Sequence, residues 1–253
     1  LVALERQETQ LTTRLSEFGK LQSMVSAMRD KASSLSSSTL WGQTTGTSAD
    51  GAVTVTTASG AAIGAYAVQV QQLAAVQTVS SRRFTDADPA VFGPGTLTIE
   101  LGSYTGAPAI SGFDAKAGAT AVTLTLGAED DTLAEVRDKI NAANAGVTAT
   151  VISDASGSRL AIRSKDSGAA NGFRISAAET SDDGVAANGL SALAFDGRAA
   201  SPMAFNQRAV NALATINGID VESASNTLAN VSDGVTLKLV KTTTAPVEVS
   251  VAA

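Results

Sequence analysis

"DTLAEVRDKINAANAGVTATVI", Asp131 to Ile152, holds in one stretch both kinds of element from which the chain is built. Thr132 followed three places later by Glu135 is a capping-box pair: the hydroxyl accepts from the backbone N–H of residue 135, and the carboxylate returns to the Thr132 amide. Leu133, Val136 and Ile140 recur at helical spacing, so they point one stripe at a core. Gly146 supplies the permissive backbone at which a helix stops, and Val147 to Ile152 reads as a strand. Asp131, Glu135, Arg137, Asp138 and Lys139 lie mostly off the apolar stripe. The acids come early and Lys139 late, as the helix dipole favours. Catalysis by these acids would need a pair converging in a cleft, one of them in apolar surroundings that raise its pKa. The spacing offers no such pair, and the solvated face of a structural helix accounts for each charge.

Working outward, period-two alternation marks half-buried antiparallel strands. They fall at Val53/Val55, Tyr66/Val68/Val70, Leu97/Ile99/Leu101, Val122/Leu124/Leu126, Leu160/Ile162 and Phe173/Ile175. The pattern resumes at Ala214–Val221, Val235–Val240 and Val247–Val251. Gly93-Pro94-Gly95 reads as a turn feeding the Leu97 strand, and Tyr66 as buried within its own. "NTLANVSDGVTLKL", 226 to 239, echoes the opening stretch: a polar cap, Thr-Leu-Ala, a Val three after the Leu, then Gly-Val-Thr entering a strand. The echo predicts a second short helix over Asn226–Ser232 and a partial repeat of one unit.

The N-terminus has a different period. Leu4, Leu11, Phe18, Val25 and Ala32 fall seven apart, while Leu21, Met28 and Leu35 take the complementary row, interrupted earlier by Gln7 and Arg14. A seven-residue repeat keeps a narrow apolar seam on one side of a helix, as coiled-coil or bundle packing requires. At ~1.5 Å per residue, a helix over residues 1 to 37 is a rod about 50 Å long, against about 8–20 residues for an ordinary globular helix. Gly19 weakens it by roughly 1 kcal/mol relative to Ala, so packing must compensate. No second long heptad segment follows, which places the expected partner on polypeptide outside this sequence or on another copy. From Ser33 the sequence passes through SSLSSST and then Gln43–Gly51, read as an aperiodic polar connection at a domain boundary.

With 253 residues, about two domains fit a prior of roughly 150 residues each. Net charge is −6 and no Lys/Arg run occurs, so neither nucleic acid nor an anionic membrane is expected as a partner. No apolar stretch approaches the ~20 residues that span a bilayer. The chain opens on Leu1 rather than Met, so its native N-terminus is expected to be missing. Cys and His are both absent, which removes thiol nucleophiles, disulfides, the usual zinc and haem ligands and the commonest general base. No catalytic residue, cofactor or metal site is expected. Asp130-Asp131 and Asp182-Asp183-Gly184 offer oxygen ligands, but neither continues into the alternating acidic loop of an EF-hand. Phosphate-binding glycine motifs and a GxSxG elbow are also lacking.

Three segments together carry a family resemblance. "YAVQVQQLAAVQTVSSRRF" (66 to 84) resembles the N-terminal strand motif of the flagellar hook-associated protein 2 family, the filament caps, through Tyr66, Val68, Val70, Gln72, Leu73, Ala74, Gln77, Ser80 and Phe84. "LAEVRDKINAANAGVTATVISDASGSRLAIRS" (133 to 164) resembles the IN motif of flagellin and hook-associated proteins, centred on Ile140-Asn141 and Gly146-Val147-Thr148. "INGIDVESASNTLANVSDGVTLKL" (216 to 239) is similar to a later cap-protein segment carrying Asn-Gly, here Asn217-Gly218. The IN motif alone is shared among axial flagellar proteins; the combination, behind a heptad helix, covers almost the whole chain.

The resemblance implies an α+β, mainly β protein with a long N-terminal leg helix followed by two antiparallel β-rich domains, one inserted in the other. Residues 1–45 would be the leg, 46–84 plus 201–253 a split middle domain, and 85–200 the insertion. It also implies a non-enzymatic protein, exported through the flagellar type III pathway without a cleaved signal peptide, that forms a homo-oligomeric ring at the distal tip outside the cell. Flagellin subunits, hook–filament junction proteins and an export chaperone are the implied partners. Flagellin would fold and insert beneath the ring instead of being lost to the medium. The family's terminal segments and returning leg helices are not in this sequence. Leu4, Leu11, Phe18, Leu21, Val25, Met28 and Leu35 would pack the leg, and flexible residues near Thr44 to Ser48 would let it adjust. Rival readings are an adhesin whose residues 85–200 bind a host glycan or mucin, a junction protein or flagellin variant, and a carboxylate glycosidase.

Overall fold

The computed structural model describes residues 2–37, 41–86, 88–106 and 109–253. A single long helix, α1 (Val2–Leu35), precedes β1 (Thr45–Ser48), β2 (Val53–Thr57), β3 (Gly64–Gln72), β4 (Thr78–Ser80), β5 (Gly95–Thr105), β6 (Gly112–Ala115) and β7 (Val122–Leu126). A second helix, α2 (Leu133–Ala142), leads into β8 (Val147–Asp154), β9 (Gly157–Ser164), β10 (Gly172–Glu179) and β11 (Ala204–Gln207). The chain ends with β12 (Ala212–Ile216), β13 (Ile219–Ser223), β14 (Thr227–Ser232), β15 (Val235–Leu239) and β16 (Val247–Ala252). The protein is thus mainly β, with an N-terminal helix and antiparallel sheets.

Two buried apolar clusters divide the strands. The smaller is built from a five-stranded sheet, order β1-β16-β3-β12-β13, and a three-stranded sheet, order β14-β15-β2. Its interior is aliphatic: Val53, Val68, Val70, Ile216, Leu228, Val235, Leu237, Val249 and Val251. The larger joins a sheet centred on β5 to a second sheet of order β11-β4-β9-β8, with α2 packed against β8. β10 runs antiparallel along one side of β5, while β7 and β6 follow each other along the other. This interior is aromatic-rich: Phe84, Phe92, Tyr104, Phe173 and Phe195 are buried in it beside Leu97, Ile99, Leu160 and Ile162. Val79 and Met203 also belong to the larger cluster. The two interiors therefore part near residues 74–79 and 205–212, inside the segments that the family resemblance assigns to a single split domain.

Side-chain carboxamides fill places in the ladders where a strand neighbour is missing. Asn141, on α2, accepts from Ala149 N at 2.8 Å and donates to Ala149 O at 3.0 Å, which closes part of the outer edge of β8. Asn226 does the same for Ala74 at 2.7 and 2.9 Å. Gln77, completely buried, accepts from Phe173 N at 3.0 Å and donates to Phe173 O at 2.7 Å, so it bridges the two sheets of the larger cluster. Each carboxamide presents one donor and one acceptor in the spacing of a peptide group, so buried backbone polar atoms that would otherwise cost about 1–3 kcal/mol are satisfied.

Several expectations need correction. Asn226–Ser232 does not form a helix; Thr227–Ser232 is β14, paired with β15 across a bulge. The echo of 131–147 in 226–236 is therefore one of letters, and the partial repeat is not a repeat of structure. The connection over Gln43–Gly51 is not aperiodic, because Thr45–Ser48 is hydrogen-bonded to β16 in register Thr45↔Ala252 to Ser48↔Val249. Its backbone pairs although its Thr-Gly-Thr-Ser sequence has no apolar alternation. That pairing also removes the flexible hinge expected near Thr44 to Ser48. Of the Ser33–Thr39 connection, Ser33 to Leu35 complete α1, and Ser38 and Thr39 lie outside the described residues. Tyr66 is half-buried, not buried.

Candidate interaction surface

Around α2, whose acids and bases show no catalytic spacing, the capping box is complete: Glu135 N donates to Thr132 Oγ1 at 3.3 Å and Thr132 N to Glu135 Oε2 at 3.1 Å. Leu133, Val136 and Ile140 are buried. After α2 the chain turns through Asn144 and Gly146, both at positive φ, and a Cβ on Gly146 would meet the Leu101 side chain at 2.7 Å. Arg137 pairs with Asp138, and Lys139 with Asp130 at 3.0 Å. The backbone N–H of Gly127, with the Lys139 ammonium, holds the Asp130 carboxyl below its ordinary range. Of the charges on α2, these pairs and the capping box engage Glu135, Arg137, Asp138 and Lys139 in structural contacts.

Glu179 joins Asp182 and Asp183 in a group whose carboxylate oxygens lie within 4.8 Å of one another, a proximity the sequence pattern did not predict. Each already receives a backbone N–H: from Ser191 to Glu179 at 2.7 Å, from Gly184 to Asp182 at 2.8 Å and from Val185 to Asp183 at 2.9 Å. This is the chemistry of turn capping. Tyr104, the tyrosine of residues 85–200, is buried and donates to Phe173 O at 2.8 Å. Burial first, and the neighbouring Asp196 second, push its phenol well above the ordinary range.

What remains is α1. None of its residues is buried in the described structure. Leu4, Leu11, Phe18, Leu21, Val25, Met28 and Leu35 are all exposed, from 54% at Val25 to 72% at Leu4. The structure therefore carries all seven on one uninterrupted helix. At 3.6 residues per turn they share one side of it. Leu15 and Met24, 74% and 66% exposed, flank the seam and widen the apolar arc to about half the circumference. The seven-residue template passed over both, although each is three or four places from a seam residue and so adjacent on the surface. Thr9, Thr12 and Thr13 return their hydroxyls to carbonyls four residues back at 2.8 Å. At the other end, the indole N–H of Trp41 donates to Leu35 O, capping a last turn that has no basic residue. The indole itself is 72% exposed. A lone helix gains too little from its own hydrogen bonds to be secure in water, and most helical stability comes from burying an apolar face. A row of this length and width exceeds the singly scattered apolar residues usual on a protein surface.

β1, the first strand after α1, pairs with β16, so the strand entering the smaller cluster lies beside the strand leaving it. The residues just ahead of β1 are tied down as well: Gly60 N donates to Gly42 O at 2.7 Å and Thr57 Oγ1 to Thr44 O at 2.6 Å.

With the architecture in view, comparison with known proteins is informative. Residues 1–77 match the family described as flagellar hook-associated protein 2 N-terminus, and residues 209–253 match its C-terminus. Between them, residues 109–166 match the flagellin hook IN motif. The B-type flagellar hook-associated protein 2 of Pseudomonas aeruginosa is 34% identical over 238 residues, which cover 90% of this chain and 46% of that protein. The flagellar hook-associated protein 2 of Escherichia coli is 30% identical over 234 residues, 91% of this chain and 46% of that one. The chain thus spans about half the length of the curated relatives it matches. Among solved structures, the D1-D2-D3 domains of the flagellar cap protein FliD from Escherichia coli superpose with a TM-score of 0.73 at 28% identity, over 94% of this chain and 63% of that one. FliD (HAP2) from Pseudomonas aeruginosa gives 0.62 at 30% identity, over 81% and 86%. By sequence at both ends and by fold throughout, the chain belongs to the flagellar hook-associated protein 2 family.

Proposed function

We propose that this chain forms the leg and the β-rich body of a flagellar filament cap. It would act by shape and contact, not by catalysis, as part of a homo-oligomeric ring at the distal tip of the filament, outside the cell. There it would help incoming flagellin fold and insert and would keep monomers from escaping. The flagellar type III pathway would deliver it, an export chaperone and hook–filament junction proteins being further partners. The observation that carries this reading is the exposed apolar row of α1 projecting from strands tied into sheets, in a member of this family. A stem that must be covered and a body that holds its shape suit a protein that grips a polymer end while subunits pass beneath.

In this reading Leu4, Leu11, Phe18, Leu21, Val25, Met28 and Leu35 pack the leg as a coiled coil or bundle, with Leu15 and Met24 at its margins. Residues 85–200, joined in their core by β4 and β11, would form most of a domain inserted into one built from the rest of 46–84 and 201–253. The pairing of β1 with β16 supports that arrangement, since in a polypeptide of the relatives' length the chain after β16 would leave beside the root of α1.

The adhesin reading finds little support. Residues 85–200 carry their tyrosine buried, and Phe92, Phe173 and Phe195 are buried with it, which leaves a sugar ring few aromatic faces to stack on. The test of the cap reading uses the full-length protein with Leu11→Asp and Phe18→Asp together. Loss of swimming with flagellin monomers in the medium is expected. Swimming at the unsubstituted rate would overturn it.

A further inference from the structure

Two segments connect the clusters: 73–77, between β3 and β4, and 208–211, between β11 and β12. They pair with each other, Ala75 N donating to Val210 O at 3.0 Å and Val210 N to Ala75 O at 3.2 Å. A two-stranded ribbon of this kind twists and bends readily, because nothing on its flanks resists rotation about its long axis. Here something does. The loop from Lys165 to Asn171 leaves β9 in the larger body and reaches across to the smaller one. Ser167 Oγ donates to Ala224 O at 2.8 Å, Ala169 N donates to Asn211 Oδ1 at 2.7 Å, and Gly168 N donates to Ala75 O at 3.2 Å.

Each participant is itself held. Asn171 donates to Ser167 O at 2.6 Å and accepts from Lys116 Nζ at 2.6 Å, which fixes the loop to its own body. On the other side, Asn211 donates to Glu222 Oε1 on β13 at 2.6 Å, and its carbonyl accepts from Gln72 Nε2 on β3 at 2.7 Å. Between them sits Gly168, buried, at φ +101°, where a Cβ would stand 2.7 Å from Ala224 Cβ and 2.8 Å from Ala224 O. Only a residue without a side chain allows this approach and this backbone angle.

We propose that the Ser167–Ala169 loop, closing on Asn211 and Ala224, is a latch that locks the two β-rich bodies at one fixed angle, and that Asn211 is the residue that makes the closed position unique. Its acceptor takes the loop while its donor and its own carbonyl bind two strands of the smaller sheet, so a single side chain and its peptide relay the loop's position to β3 and β13. Opening the latch leaves, among the described residues, the ribbon and the side chains that tie its ends, Arg208 to Tyr104 O and Gly106 O on the larger body and Asn226 to Ala74 on the smaller. The inference is independent of what the protein caps or contacts.

The absence of native cysteine makes the measurement direct. Nitroxide labels at Thr54→Cys on β2 and Thr150→Cys on β8, both exposed, report the distance between the bodies by double electron–electron resonance. The otherwise unchanged chain should give one narrow distance. Each latch hydrogen bond removed should raise the open-to-closed ratio about fivefold, so Asn211→Ala should broaden the distribution and Asn211→Ala with Ser167→Ala should broaden it further. Asn211→Asp combined with Glu222→Gln keeps the acceptor for Ala169 and reverses the bond to β13, the introduced amide donating to the introduced carboxylate, so this pair should stay narrower than Asn211→Ala. Ser167→Ala alone loses one bond at a half-buried position, and its smaller broadening serves as the measure if the Asn211 variants melt at the working temperature. Distributions for the folded variants that superimpose on the parent would overturn the latch, as would the Asn211→Asp and Glu222→Gln pair behaving like Asn211→Ala.

Discussion

Thr132-Leu-Ala-Glu-Val136 and Thr227-Leu-Ala-Asn-Val231 differ at one position in five, yet the first opens a helix and the second runs as a strand. Both place their Leu in a core. The differing residue decides part of the outcome: Glu135 closes the capping box, whereas Asn230 sits at φ +53° in the bulge of β14. The residues immediately downstream decide the rest. After Val136 come Arg-Asp-Lys-Ile, which extend the helix and bring Ile140 into the core, so the cost of nucleating a turn is recovered over further turns. After Val231 come Ser-Asp-Gly and then β15, too few residues for a second turn, and a ready antiparallel partner. Local letters propose an element; its length and its neighbours choose between proposals.

The contrast between the two segments can be attacked from several directions. Ile140→Ala should have the largest effect, about 2–5 kcal/mol in urea unfolding, because the residue is fully buried and has no counterpart in the strand copy. Asn141→Ala and Asn226→Ala remove the same two-point bond from the two settings, to Ala149 and to Ala74. Each should cost about 1–3 kcal/mol by the same measure. Amide exchange should rise at residue 149 in the first variant and at residue 74 in the second, and a rise at both sites in either would mean the two carboxamides are not local braces. Thr132→Ala should cost about 0.5–2 kcal/mol through loss of the cap, whereas Thr227→Ala, exposed on a strand, should stay within about 0.5 kcal/mol. Equal losses at Thr132 and Thr227 would sink the contrast.

The smallest effect concerns pH. Asp130 is held below its ordinary value of 3.8, first by the Gly127 N–H and then by Lys139. A depressed carboxyl stabilises the fold above that value, and the contribution is lost as pH falls through the folded-state pKa. Between about pH 5 and pH 3, Asp130→Asn should therefore lose less stability than the parent in parallel urea titrations. The difference should be modest, since the Lys139 side chain is 45% exposed and water screens the pair.

These contrasts also explain what was readable in advance. Val122/Leu124/Leu126 and Val247/Val249/Val251 announced β7 and β16 because one face of each is buried and the other wet. β1 gave no such sign: Thr45-Gly-Thr-Ser48 is held through its backbone, and pairing with β16 is a long-range event that no local pattern encodes. β4 and β11, three and four residues long, are too short for a period to register. The apolar row of α1 was legible in full at its seven seam positions because it repeats. Leu15, Met24 and Trp41 were not, since two lie outside the repeat and the third comes after the helix. The carboxamide bracing was beyond reach: Asn141 stood out only within the IN resemblance and Asn226 only as a helix cap, and neither role points to Ala149 or Ala74 until the fold brings them alongside.

Trp41 is the sole tryptophan of the chain, and it stands in solvent at the root of the stem. Its fluorescence is therefore blind to the sheets and attentive to the helix: melting the β-rich bodies should hardly move its emission maximum, while docking of a neighbour along the stem should shift it to the blue and shield it from iodide. The molecule carries, at the boundary between its bare helix and its folded body, a built-in reporter of whether the helix has found company.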